Sequence, residues 1–188
     1  MILYPFQPDL PFGYSVTGFD EEKKTPDAEL YLLPPGAQIP AEFTGGAIFS
    51  EAPGCADARI LQPAQSAAPD AAGVWADTQV SGGSLEGYVR ALLARWGERL
   101  WMYLRPLCMR FPVPCPTGVG EALGPDEIRT LLPQHPSHYS PDLVCRYSFF
   151  FDAAGQPRVL LFDTPETCRQ KLALLRLLGL QQVFGWIP

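Results

Sequence analysis

Apolar positions come in short runs, each closed by Pro, Gly or charge. "AELYLLP" (28–34), "GGAIFS" (45–50), "ARILQP" (58–63), "GVWADT" (73–78) and "RLWMYL" (99–104) have strand length and aromatic or β-branched content. They are almost continuously hydrophobic rather than alternating. That pattern predicts parallel strands covered on both faces. Between the last two runs lies "SLEGYVRALLARWGER", where Leu85, Tyr88, Val89, Leu92, Leu93 and Trp96 fall at helical spacing behind the N-cap candidate Ser84. Strand, helix and strand in that order predict a parallel βαβ unit.

A short helix is expected from Pro125, with acids in its first turn. "CRYSFFFDAAGQPRVLLFD" reads as a β-hairpin around "DAAGQP". The last unit has the clearest boundaries. Thr164 caps a helix, Pro165 and Glu166 open it, Gly179 stops it, and "QQVFGWI" follows as a buried strand. Residues 1–28 read as irregular, and the Pro clusters at 5–11, 34–40 and 106–116 are expected to break regular structure. No internal repeat is visible.

Composition narrows the function classes. The 188 residues suffice for a single domain, and 47% hydrophobic content supports a core. The net charge of -6, with no Lys/Arg cluster, argues against nucleic acid, whose phosphates demand cations. No apolar run is long enough to span a membrane, and "MILYPFQPDLPF" lacks the pattern of a signal peptide, so a cytoplasmic location is expected. Five cysteines without a C-x-x-C pair point to reduced thiols, with a Cys108–Cys115 disulfide as the alternative. His135 and His138 in "HPSH" lack acids or Cys beside them, so neither a metal site nor another cofactor is expected.

The order "YSFFFDAAGQPRVLLFDTPETCRQKLALLRLLGLQQVFGWIP" resembles the C-terminal part of glycoside hydrolase family 18, in the type found in bacterial spore-germination and cortex-lytic enzymes. That part has a strand, a second strand ending in an aromatic and an acid, a helix with a lysine, and a last strand with a tryptophan. Phe162, Asp163, Lys171 and Trp186 take those places. The resemblance covers 123–188, roughly a third of the chain. It implies a TIM-type (β/α) barrel with the β-hairpin inserted before the last helix and strand. A full barrel typically needs about 250 residues and at least roughly 200. This chain is shorter, so a compact or incomplete barrel is expected, with loops replacing helices between 28 and 80. An incomplete barrel exposes core and favours a homodimer.

The family's catalytic strand reads D-G-x-D-x-D-x-E. Laid on "AAGVWADTQV", Ala72 and Gly73 take the first two places, Trp75 the second Asp, Asp77 the third, and Gln79 the Glu. The family's Glu protonates the leaving oxygen while the substrate's acetamide attacks the anomeric carbon. Gln79 has no proton to give near neutral pH, which removes a term worth about 10²–10⁴-fold. Strand alternation predicts that Asp77 and Gln79 face the same side. Asp77 either contacts sugar or simply accepts backbone hydrogen bonds at a strand end. Glu51, after the "GGAIFS" strand, is the candidate for a displaced acid. Trp186 offers a sugar platform or core, Trp75 fills or lines the pocket, and Tyr103 shares a strand face with Trp101 that borders the cleft.

Three readings follow. The first is a non-catalytic family relative that binds N-acetylglucosamine-type glycan or serves structurally. The second is an active β-N-acetylglucosaminidase or peptidoglycan hydrolase using Glu51. The third is a protein-binding module that kept only the fold.

Overall fold

The computed structural model describes residues 2–5, 30–32, 47–50 and 60–185; residues 2–5, 30–32 and 125 are described by backbone alone. The fold is mixed α/β, with parallel and antiparallel sheets and, among the described residues, three α-helices.

The main sheet is wholly parallel, in the order β1 (Ile2–Pro5), β12 (Gln182–Gly185), β6 (Leu100–Leu104), β5 (Val74–Asp77) and β4 (Gln62–Pro63). A second parallel pair, β2 (Leu30–Leu32) and β3 (Ala47–Phe49), adjoins it through a parallel bridge between Ile48 and Ile60. β1 pairs with β12, so strands from opposite ends of the chain are neighbours. The first residues, expected to be irregular, thus include a strand. Pro5 is its last residue, where a proline no longer interrupts the ladder.

The α1 helix (Leu85–Trp96) joins β5 to β6, as the sequence predicts. Ser84 Oγ accepts the Gly87 N–H at 3.3 Å, and Gly97, at φ 55°, ends the helix. The α3 helix (Pro165–Leu177) leads into β12. Thr164 and Thr167 cap it reciprocally, each hydroxyl accepting the other's N–H at 3.2 and 2.8 Å. Gly179, at φ 79°, closes it, and Leu180 N–H reaches back to Leu175 O at 3.1 Å.

Between β6 and α3 the chain builds an antiparallel sheet in the order β8 (Glu121–Ala122), β7 (Cys108–Pro112), β11 (Pro157–Phe162), β10 (Cys145–Phe151) and β9 (His138–Ser140), plus α2 (Pro125–Leu131). The predicted hairpin is β10–β11, paired from Arg146–Phe162 to Phe151–Pro157. Asp152 ties its turn by accepting from Ala154 and Gln156 N–H and from Arg158. The Pro-rich 106–116 segment was expected to be irregular, yet it holds β7. Its prolines fall before the strand, at its last residue and after it, so none removes a donor inside the ladder.

The parallel sheet is apolar on both faces, as its unbroken runs require. One face packs Val74, Ala76, Leu100, Met102, Leu104 and Val183 under α1 and α3. The other gathers Phe49, Leu61, Trp101, Tyr103 and Phe184, with Ala47 and Trp75 against them.

Candidate functional site at the C-terminal edge of the parallel strands

In a parallel α/β sheet, the carboxyl ends of the strands and the loops beyond them are where ligands bind. Here that edge carries a cross-strand row in which Asp77 stands opposite Tyr103, and Tyr103 opposite Phe184. Alternation along β5 puts Asp77 on the face of Trp75, the aromatic face, and leaves Val74 and Ala76 to the helix side. Asp77 is half-buried there.

The aromatic residues of this face are packed against one another. Tyr103 stacks on Phe184 with centroids 5.0 Å apart and planes 5° apart. Phe49 meets Trp75, Tyr103 and Phe184 edge-on at 5.0, 5.3 and 4.7 Å. Tyr103 keeps 7% of its surface, so it belongs to this core rather than lining an open cleft. Trp75 is half-buried, and its indole N–H is buried without a hydrogen-bond partner among the described residues.

β5 stops at Asp77, so the alternation expected to aim Asp77 and Gln79 alike does not reach Gln79. Instead the Asp77 carboxylate accepts the Gln79 N–H at 3.0 Å, which closes a local turn. The Gln79 side-chain amide donates to Pro106 O, in the loop after β6, at 2.8 Å. Thr78 N–H donates to Tyr103 O and Thr78 Oγ1 to Arg105 O, at 3.1 and 3.3 Å. The loops after β5 and β6 are therefore stitched together. Asp77 also acts on α1: burial pushes the Tyr88 phenol up and the Asp77 charge pushes it further, against a hydrogen bond with Gln65. Glu51 and Trp186 lie outside the described residues. In the sequence Glu51 follows Ser50 and Trp186 follows Gly185, the last residue of β12.

Beneath the stitched loops lies a feature that the apolar pattern does not announce. Asp163, just after β11, and Lys171, in α3, form an ion pair at 2.6 Å with both side chains fully buried. Asp163 also accepts Leu107 N–H at 2.7 Å and the Thr167 hydroxyl at 2.9 Å, and Lys171 donates to Thr78 O at 3.3 Å. Asp163 thus accepts three hydrogen bonds and Lys171 donates two, so neither buried charge stands unpaired.

Cys108, Cys115, Cys145 and Cys168 are free thiols, which sets aside the Cys108–Cys115 disulfide. Cys115 lies beyond the end of β7, and its Sγ reaches Val119 O at 3.6 Å. Burial pushes Cys108 and Cys145 up to about 11 and Cys168 to about 12, and the Asp163 charge adds to each. A thiol with a raised folded value favours the folded state fully below its unfolded value of 9.0, and that contribution is lost as pH rises through 11–12. Urea midpoints should therefore fall from about pH 9 upward. A midpoint that stays flat over that range would count against neutral buried thiols.

Among the described residues no group of three or more His, Cys, Asp or Glu is placed to hold a metal ion, and no helix is long and apolar enough to cross a membrane.

No protein-family model matches the chain, and no curated protein matches it. Among solved structures, a chitinase from Chromobacterium violaceum ATCC 12472 superposes with a TM-score of 0.52 at 12% identity, over 76% of this chain and 51% of the chitinase. The spore cortex-lytic enzymes SleL of Bacillus cereus and Bacillus megaterium QM B1551 give TM-scores of 0.49 and 0.48 at 13% and 14% identity, over 62% of this chain in each case. The matched part spans only 31% and 30% of those two enzymes. At such identities a likeness speaks of fold alone. The chain therefore shares its mixed α/β fold with about half of the chitinase.

Proposed function

We propose that this chain is a shortened relative of glycoside hydrolase family 18, built on an incomplete TIM-type barrel, that binds N-acetylglucosamine-type glycan without cleaving it. The observation that carries this reading is the fate of residue 79. The side chain in the acid's place of the family pattern is an amide, and it is held by Pro106 O rather than aimed with Asp77. Such a group cannot protonate a leaving oxygen. Asp77, half-buried beside an aromatic face at the carboxyl edge, is a group that can accept a hydrogen bond from a sugar hydroxyl or acetamide. The seven parallel strands among the described residues, the sequence pattern through Asp163, Lys171 and Trp186, and the fold shared with the chitinase support the family reading.

Titration with N-acetylglucosamine oligomers, followed by tryptophan fluorescence, tests it. We expect saturable binding, weakened roughly tenfold in Asp77→Ala, a loss in line with removing a charged hydrogen-bond partner, and no hydrolysis of the same oligomers. Trp186→Ala weakens binding as well if that residue is a platform. No response at millimolar oligomer sinks the reading and favours a protein partner.

One observation favours an active hydrolase instead. β3 is parallel to its neighbours, so its C-terminal end lies on the edge that carries Asp77, and in the sequence Glu51 follows Ser50. Hydrolysis that disappears in Glu51→Gln while binding persists would establish this second reading.

A further inference from the structure

We propose that Asp163 and Lys171 are positioning residues of the candidate site: their buried ion pair pins the backbone that follows β5 and β6. The part of the inference that concerns glycan rests on the reading above; the pinning itself stands on the geometry.

Beyond each other, the two side chains hold three residues. Lys171 Nζ, from α3, donates to the carbonyl of Thr78, the residue after Asp77. Asp163 Oδ2 accepts the N–H of Leu107, beyond β6, and Leu107 O in turn accepts the Asp163 N–H at 2.7 Å. Thr167 Oγ1 holds the other carboxylate oxygen. The two pinned peptides, at 78 and 107, flank the stitches already described: Gln79 to Pro106, and Thr78 to Tyr103 and Arg105. The turn that carries Asp77 is thus held from behind by a charge and from the side by the neighbouring loop.

Stability alone is a weak reason for such a pair. Desolvating a carboxylate and an ammonium offsets most of their attraction, and apolar residues of like volume often serve stability as well or better. What an apolar pair cannot do is grip a carbonyl and an N–H. Here those two grips fall on the loops that border the site.

The test combines amide hydrogen exchange with glycan titration on wild type, Lys171→Met and Asp163→Asn. Lys171→Met removes the grip on Thr78 and leaves Asp163 its two donors. Asp163→Asn keeps an acceptor for Leu107 while removing the charge. Exchange reads local opening separately from global unfolding. We expect the amides of Thr78, Gln79, Val80, Arg105 and Leu107 to exchange faster in Lys171→Met, with those of Val183 and Phe184 in β12 as the internal reference. Glycan affinity should fall on the order of tenfold although Asp77 is untouched. Asp163→Asn should give a smaller change of the same pattern, and it serves as the readout if Lys171→Met does not fold. Uniform acceleration across both loops and β12 overturns the proposal, since a merely structural pair would act on the whole molecule. Wild type that binds no glycan overturns the reading of the site, and the exchange pattern then decides the pinning alone.

Discussion

Replacing Asp163 with leucine should lower the free energy of unfolding by roughly 3–5 kcal/mol, the range for breaking one side of a buried pair. Three groups lose their partner together: the Lys171 ammonium, the Leu107 N–H and the Thr167 hydroxyl, although Thr167 keeps Thr164 O. Among the described residues Lys171 would retain only the Thr78 carbonyl, at 3.3 Å. Total stability of a domain is about 5–15 kcal/mol, so this one change removes a large share. Lys171→Met should cost less, because the carboxylate left behind still accepts two hydrogen bonds. The double replacement Asp163→Leu with Lys171→Met should recover part of the loss. Urea unfolding of the three variants checks the order. A double variant that loses the sum of both singles would mean the two side chains do not act as a pair.

Gly185→Ala is the second large effect. Gly185 ends β12 at φ 109°, in the region that L side chains avoid. A Cβ there would stand 2.7 Å from Leu104 O and 2.7 to 2.8 Å from the Tyr103 ring. Neither neighbour gives way easily. Leu104 is opposite Gly185 in the β6–β12 ladder, and Tyr103 is stacked on Phe184. Backbone strain and overpacking together suggest a loss of about 2–5 kcal/mol. Gly179→Ala supplies the comparison. Gly179 is also at positive φ, 79°, but a Cβ there meets nothing within 4 Å, so only the conformational cost of about 1–2 kcal/mol applies. Equal melting temperatures for the two variants would refute the steric argument.

Much of the framework is written locally. The runs at 73–78 and 99–104 became β5 and β6, and α1 and α3 begin at Ser84 and Thr164, because capping and 3.6-residue spacing are properties of neighbouring residues. β7 escaped notice among its prolines because its reason to exist is β11, nearly fifty residues away, which supplies the ladder. β9 was hidden for the same reason: its partner is β10. Asp77, Gln79, Trp75 and Tyr103 all lie on or beside one edge, but the sequence could not reveal that Tyr103 is buried or that Gln79 turns to Pro106. Asp163 and Lys171 were visible as members of a pattern. Their work was not, since two of the groups they hold, Thr78 O and Leu107 N–H, are peptide groups that every residue carries.

The neighbourhood of β1 and β12 sets an order on how the chain is made. Ile2 stands opposite Gln182, so β1 is made long before the strand it pairs with. Until then, among the described residues, β1 is an unpaired edge, and so is the side of β6 that β12 will cover. Contacts of such long sequence separation form late and slowly. The β5–α1–β6 unit can assemble early from local contacts, while the sheet stays open beside it until β12 has been made. A nascent chain interrupted before residue 182 carries two bare ladders rather than one finished sheet, and those ladders are what a chaperone, or another unfinished copy, would meet.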